Sequence, residues 1–297
     1  MKRSYREIWT RSPDRLRLHA RSYGDDRATA APIVCLPGLA RHAGDFHDLA
    51  MALTDPELGP PRHVVAIDYR GRGESDHDPD PDKYSVPVET ADLLAVLADL
   101  DIARAIFVGS SRGGIITMGL AAAKPDTVLG AALVDIGPVI ERAGLLRIKG
   151  YVGKLGHPRD FNEAAGLVEG LFGAQFPNLS DRDWQTWARG TWQEKSGRLV
   201  LTYDPTLSHT LDALGPASEI PDLWALFDAL RTVPVMVIRG ALSDLLSEDT
   251  VAAMMARHPD LDVVTVPDQG HTPLLRGDDM IGAIRRFVDR IETARLA

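Results

Sequence analysis

The chain has 297 residues, 44% of them hydrophobic and 25% charged, which is the balance of a globular protein long enough to bury a large core. Its 33 basic residues are outweighed by 42 acidic ones, and the net charge of −9 argues against nucleic acid or an anionic membrane as main partner and for a small molecule. A lone Cys35 excludes an internal disulfide, the opening stretch 1–7 has no apolar signal core, and no window approaches the ~18 consecutive apolar residues of a membrane span, so a cytoplasmic, soluble protein is expected.

In chain order, an edge strand at 5–10 and a strand at 15–21 lead to the apolar run 32–36, where Cys35 reads as a buried structural thiol. The turn Pro37-Gly38-Leu39-Ala40 ends that strand. A strand at 63–68 follows, then the acidic loop Asp76-His77-Asp78-Pro79-Asp80-Pro81-Asp82. Its aspartates alternate as in a calcium loop, but Pro81 stands where glycine is needed and Pro87 where the bidentate glutamate should be, so it reads as a solvated loop. Leu93, Leu94, Val96, Leu97 and Leu100 share a helical face, and a strand at 105–109 then breaks at Gly109-Ser110-Ser111-Arg112-Gly113. The helix resumes at Ile115. After a strand at 129–134 the alternation fails between about 137 and 218, a stretch with no clear strand that holds Trp184, Trp187, Trp192 and several other aromatic residues. It reads as a helical cap, 138–218, over a core formed by 1–137 and 219–297, with the three tryptophans as candidates to line a pocket. Strands at 235–240 and 262–266 and a helix carrying Met280, Ile284, Phe287 and Ile291 complete the chain. Strands alternating with helices predict an α/β fold, a mostly parallel sheet with helices on both faces.

The break at Ser111 carries chemistry. A serine on a sharp strand-to-helix turn is strained and crowded, so glycines two before and two after it relieve the clash, and the hydroxyl stands at a helix N-terminus. Ser111 is the expected nucleophile. A serine hydroxyl needs a base, usually a histidine oriented by a carboxylate. Of nine histidines, His271 follows the last strand in the loop Asp268-Gln269-Gly270-His271-Thr272-Pro273, at the sheet edge where α/β sites collect. For the carboxylate, Asp244 follows the penultimate strand and is preferred, while Asp135, just after strand 129–134, is the alternative. Backbone N–H groups of Leu39 and Arg112 are expected to form an oxyanion hole. The Arg112 side chain reads as an ion pair beneath the turn.

Taken together, Leu36-Pro37-Gly38-Leu39, Asp68-Tyr69-Arg70-Gly71-Arg72-Gly73-Glu74-Ser75, Gly109-Ser110-Ser111-Arg112-Gly113-Gly114, Asp244 and Gly270-His271 resemble the α/β-hydrolase superfamily along the whole chain. The likeness extends to capped bacterial esterases with Asp-Ile-Gly-Pro-Val-Ile at the cap's start, here residues 135–140, a group that includes carboxylesterases and some polyester-degrading enzymes. It implies an eight-stranded sheet and a mobile cap. The histidine usual before the oxyanion glycine is Pro37 here, which leaves the backbone donor in place. Serine at 111 disfavours epoxide hydrolase and haloalkane dehalogenase chemistry, which requires aspartate there. A carboxylesterase working through an acyl-enzyme is therefore expected, on a small-molecule or polymeric ester or lactone, with no cofactor and no metal. The alternatives are a carbon–carbon bond hydrolase with the same triad and a ligand receptor on a hydrolase fold.

Overall fold

The computed structural model describes residues 4–296; residues 1–3 of the opening stretch and Ala297 lie outside the described residues. In chain order the elements before the inserted stretch are β1 (Arg6–Arg11), β2 (Arg17–Gly24), β3 (Ile33–Leu36), α1 (His47–Leu53), β4 (His63–Asp68), α2 (Val86–Asp99), β5 (Ala105–Ser110), α3 (Arg112–Ala123) and β6 (Val128–Val134). The stretch itself contributes α4 (Arg142–Tyr151), α5 (Phe161–Phe172), α6 (Asp181–Thr191), β7 (Trp192–Lys195) and β8 (Arg198–Leu201). The chain then returns to the sheet through α7 (Trp224–Asp228), β9 (Val235–Gly240), α8 (Glu248–Arg257), β10 (Leu261–Val266) and α9 (Asp278–Leu296).

Among the described residues, eight strands form one sheet in the order β1-β2-β4-β3-β5-β6-β9-β10. Only β1 and β2 pair antiparallel to their neighbours; β4, β3, β5, β6, β9 and β10 run parallel. Buried on both faces, the central strands are apolar without interruption, as in β6, Val-Leu-Gly-Ala-Ala-Leu-Val. Their side chains still alternate between two cores. Val34, Leu36 and Phe107 face the layer that holds Leu93 and Leu97 of α2 and Ile116 of α3. Ile33, Cys35, Ile106 and Val108 face the layer that holds Leu49 of α1 and Ile284 and Phe287 of α9. Burial pushes the Cys35 thiol well above its ordinary pKa, in keeping with an inert packing role.

This strand order fixes where a site can form. The chain passes from β3 outward to β4 and then crosses back over β3 to β5, so the order reverses between β3 and β5. Connections leave in opposite directions there and open a crevice at the carboxyl ends of the strands.

The inserted stretch has its own core of Val168, Phe172, Phe176, Trp184 and Trp192. The expectation of no strand in it needs correction, since β7 and β8 form an antiparallel hairpin. Its tight turn places Ser196 at φ 52° and Gly197 at φ 72°, both in the left-handed region that two-residue hairpins require. With Gln193, Glu194 and Lys195 in a four-residue strand, no alternation of apolar and polar residues marks it.

Candidate active site

Ser111 directly follows β5 and caps α3 with φ 51° and ψ −113°, a conformation L-residues rarely adopt. The flanking glycines are explained by contact. A Cβ on Gly109 would lie 2.6 Å from the Gly113 backbone, and one on Gly113 would lie 2.1 Å from the Leu36 carbonyl oxygen. The turn therefore packs backbone on backbone, and the serine is the residue left standing out of it.

His271 sits in the loop between β10 and α9, and its Nε2 is 2.9 Å from Ser111 Oγ. The residue is only 7% exposed. Its other nitrogen, Nδ1, is 2.8 Å from Asp135 Oδ2. The preference for Asp244 at this position is thus corrected in favour of Asp135. Asp135 follows β6 with φ 52° and is wholly buried. Its Oδ1 accepts from the Gly240 N–H at 2.8 Å, and its Oδ2 also accepts from the Ser243 hydroxyl at 2.5 Å. Asp244, one residue beyond Ser243, turns the other way. Its two oxygens accept from Nε and Nη2 of Arg147 on α4, at 2.6 and 2.8 Å, so it ties the inserted stretch to the sheet edge. Burial pushes the Asp244 carboxyl up, but the Arg147 fork, with smaller contributions from Gln175 and His271, holds its pKa below the ordinary carboxylate value.

Leu39 lines a cleft of about 470 Å³ together with Ser111 and His271. A Cβ on Gly38 would come within 3.7 Å of the Ser111 Cβ, which measures how closely this turn approaches the serine. Arg112 opens α3, so its N–H has no carbonyl of its own helix to bond. Its side chain forms the expected ion pair, with Nε donating to Glu89 Oε2 at 2.5 Å and Nη2 donating to the Tyr84 carbonyl at 2.9 Å.

Of the three tryptophans expected to line the pocket, only Trp187 does so. Trp184 and Trp192 are 3% and 1% exposed and belong to the core of the inserted stretch, so their pocket assignment is corrected. Tyr151, Phe172 and Trp187 instead form a continuous aromatic wall, with Tyr151 edge-on to Phe172 at 5.1 Å and Phe172 stacked on Trp187 at 4.9 Å. Glu89 and Ser243 were not expected at all. A signal for Glu89 existed: with Asp92 it extends the apolar stripe of α2 by one turn, and a carboxylate on a buried stripe needs a partner.

A hydroxyl, an imidazole and a buried carboxylate joined by two hydrogen bonds can pass the hydroxyl proton to the ring while the carboxylate steadies the cation that results. The alpha/beta hydrolase family profile matches residues 33–283. A 3-hydroxybutyrate-oligomer hydrolase of Cupriavidus necator is 34% identical over 86% of this chain and 88% of its own. A 2-(acetamidomethylene)succinate hydrolase of Mesorhizobium japonicum is 28% identical over 85% of this chain and 86% of its own. The crystal structure of an alpha/beta hydrolase from Novosphingobium aromaticivorans superposes with a TM-score of 0.89 and 38% identity, covering 98% of this chain and all of the other.

Proposed function

The chain belongs to the alpha/beta hydrolase family, and from that premise we propose that it is a serine hydrolase of carboxylic esters. The observation that carries this reading is the hydrogen-bonded series Ser111, His271 and Asp135, whose serine and histidine line a cleft. Ser111 Oγ attacks the ester carbonyl carbon while its proton passes to His271 Nε2. The carbonyl electrons move to oxygen, and the N–H groups of Leu39 and Arg112 receive the oxyanion. Collapse breaks the carbon–oxygen bond, and His271 returns the proton to the departing alkoxide. Water then attacks the acyl-Ser111 with His271 again as base, releasing the acid and restoring the serine. Asp135, not Asp244, orients the imidazole throughout.

The inserted stretch 138–218 serves as the cap, and its aromatic wall selects a moderately apolar substrate. A cleft of about 470 Å³ suits a small ester. Short linear oligoesters of 3-hydroxybutyrate are the proposed substrate class, since a relative matched over most of both chains bears that activity in its name. Among the described residues no helix is long and apolar enough to cross a membrane, and a cytoplasmic site of action is part of the proposal.

The test compares wild type with Ser111→Ala on 3-hydroxybutyrate dimer and trimer, p-nitrophenyl esters of increasing chain length, and 2-(acetamidomethylene)succinate. Ester turnover that Ser111→Ala abolishes supports the reading. Near-wild-type turnover in Ser111→Ala sinks it, and turnover of the succinate alone would move the activity to the second relative's chemistry.

A further inference from the structure

Behind the proposed oxyanion hole lies a buried charge cluster that the triad does not use. Glu89 of α2 is completely buried, and its two oxygens are shared between two guanidinium groups. Arg72 Nη1 donates to Oε1 at 2.7 Å and Arg112 Nε donates to Oε2 at 2.5 Å. Arg72 is itself 0% exposed, and its Nε donates to the Leu39 carbonyl at 2.7 Å. One carboxylate therefore connects, through two arginines, the two residues whose N–H groups must converge on a single oxygen.

Resting on the serine-hydrolase reading, we propose that Glu89 and Arg72 are positioning residues that hold the Leu39 and Arg112 N–H groups in register for the oxyanion. The geometry of the turn makes the link mechanical. The Gly38 carbonyl accepts from the Arg41 N–H at 3.2 Å, which fixes the peptide plane that carries the Leu39 N–H pointing the other way. The Arg72 fork fixes the next plane by its grip on the Leu39 carbonyl. With both planes held, the Leu39 N–H has one direction. On the opposite side, the Ser111 carbonyl accepts from the Gly114 N–H at 2.9 Å, and the Arg112 side chain is tied down by Glu89 and by the Tyr84 carbonyl.

Stability alone is a weak reason to bury such a trio. Taking the Arg72 and Glu89 charges, and most of Arg112, out of water carries a large desolvation cost, and apolar replacements of buried ion pairs are often neutral or stabilising. Burial pushes the Glu89 carboxyl up, yet Arg72 and Arg112 together hold its pKa below the ordinary glutamate value, so the charged form is the one the cluster is built for. What the trio supplies is direction, and an oxyanion hole is a site where a misplacement of ~1 Å lowers turnover by about 10²-fold.

Two conservative variants test this in the full-length protein. Arg72→Lys keeps the charge beside Glu89 but loses the fork that spans Glu89 and Leu39, and Glu89→Asp keeps the carboxylate but shortens its reach. For each folded variant, kcat and KM are measured on a p-nitrophenyl ester, with inhibition by a trifluoromethyl ketone. That ketone adds to the serine as a tetrahedral oxyanion. We expect kcat and ketone affinity to fall together by about 10- to 100-fold while KM stays within about threefold. Unchanged ketone affinity in a folded variant, even one with a lowered melting temperature, overturns the proposal and leaves the cluster a packing device. Failure of the serine-hydrolase reading would show separately, as turnover surviving Ser111→Ala in an otherwise wild-type chain.

Discussion

Asp135 and Asp244 separate by what each carboxylate touches. Both follow strands of the same sheet edge, and chain order of serine, acid and histidine is met by either, so the sequence leaves the choice to local resemblance. The deciding contacts are tertiary. Ser243 and the Gly240 N–H hold Asp135 toward His271, while Arg147, far away in sequence and on another element, draws Asp244 off. Asp135→Asn is expected to lower kcat by on the order of 10⁴-fold with the fold intact, because the imidazole loses the group that fixes its tautomer. Asp244→Asn should leave kcat within about tenfold and act mainly on the docking of α4, a split that paired kinetics and thermal melts would resolve. If Asp244→Asn is the crippled variant, the carboxylate assignment is wrong.

At the level of elements, the strands were legible because buried parallel strands are written as uninterrupted apolar runs. The elbow was legible too, since glycines at Gly109 and Gly113 are demanded by backbone contact that no side chain could share. The inserted stretch was harder. Its aromatic residues announce a core but not which of them turns toward the cleft, and that depends on how α5 and α6 pack. Trp184 and Trp187 lie three residues apart on α6, with ring centroids 5.6 Å apart, yet they face different surroundings. Trp184→Ala should cost about 3–5 kcal/mol in a urea melt and leave substrate preference alone. Trp187→Ala should instead lower kcat/KM for longer acyl chains by roughly 10- to 100-fold relative to acetate. An unchanged chain-length profile in Trp187→Ala would remove that ring from the substrate wall.

Across the whole molecule, the strand order places the Ser111 turn after β5 beside the Gly38-Leu39 turn after β3, and the proposed reaction requires the sheet beneath them to stay rigid. One link in that sheet is expected to respond to pH. His63, at the start of β4, is buried and lies 3.0 Å from the Ser22 hydroxyl of β2. Burial lowers its pKa from the ordinary value of 6.5, against an opposing pull from Asp26. Because the folded value is the lower one, the unfolded chain binds more protons in this range and stability rises with pH. The His63 contribution is complete above the unfolded pKa and is lost as pH falls from about 6.5 through the folded value, with a slope of at most about 1.4 kcal/mol per pH unit. Urea melts between pH 7 and 5 should show that slope, and His63→Gln should remove its share; an equal slope in both proteins would refute the assignment. The proposed chemistry rests on a covalent acyl group at Ser111. Acid quenching during turnover of a p-nitrophenyl ester, followed by peptide mass mapping, reports that group directly. The expected result is the acyl mass on the peptide containing Ser111, and a fully active enzyme with no adduct, or with the adduct elsewhere, would contradict it.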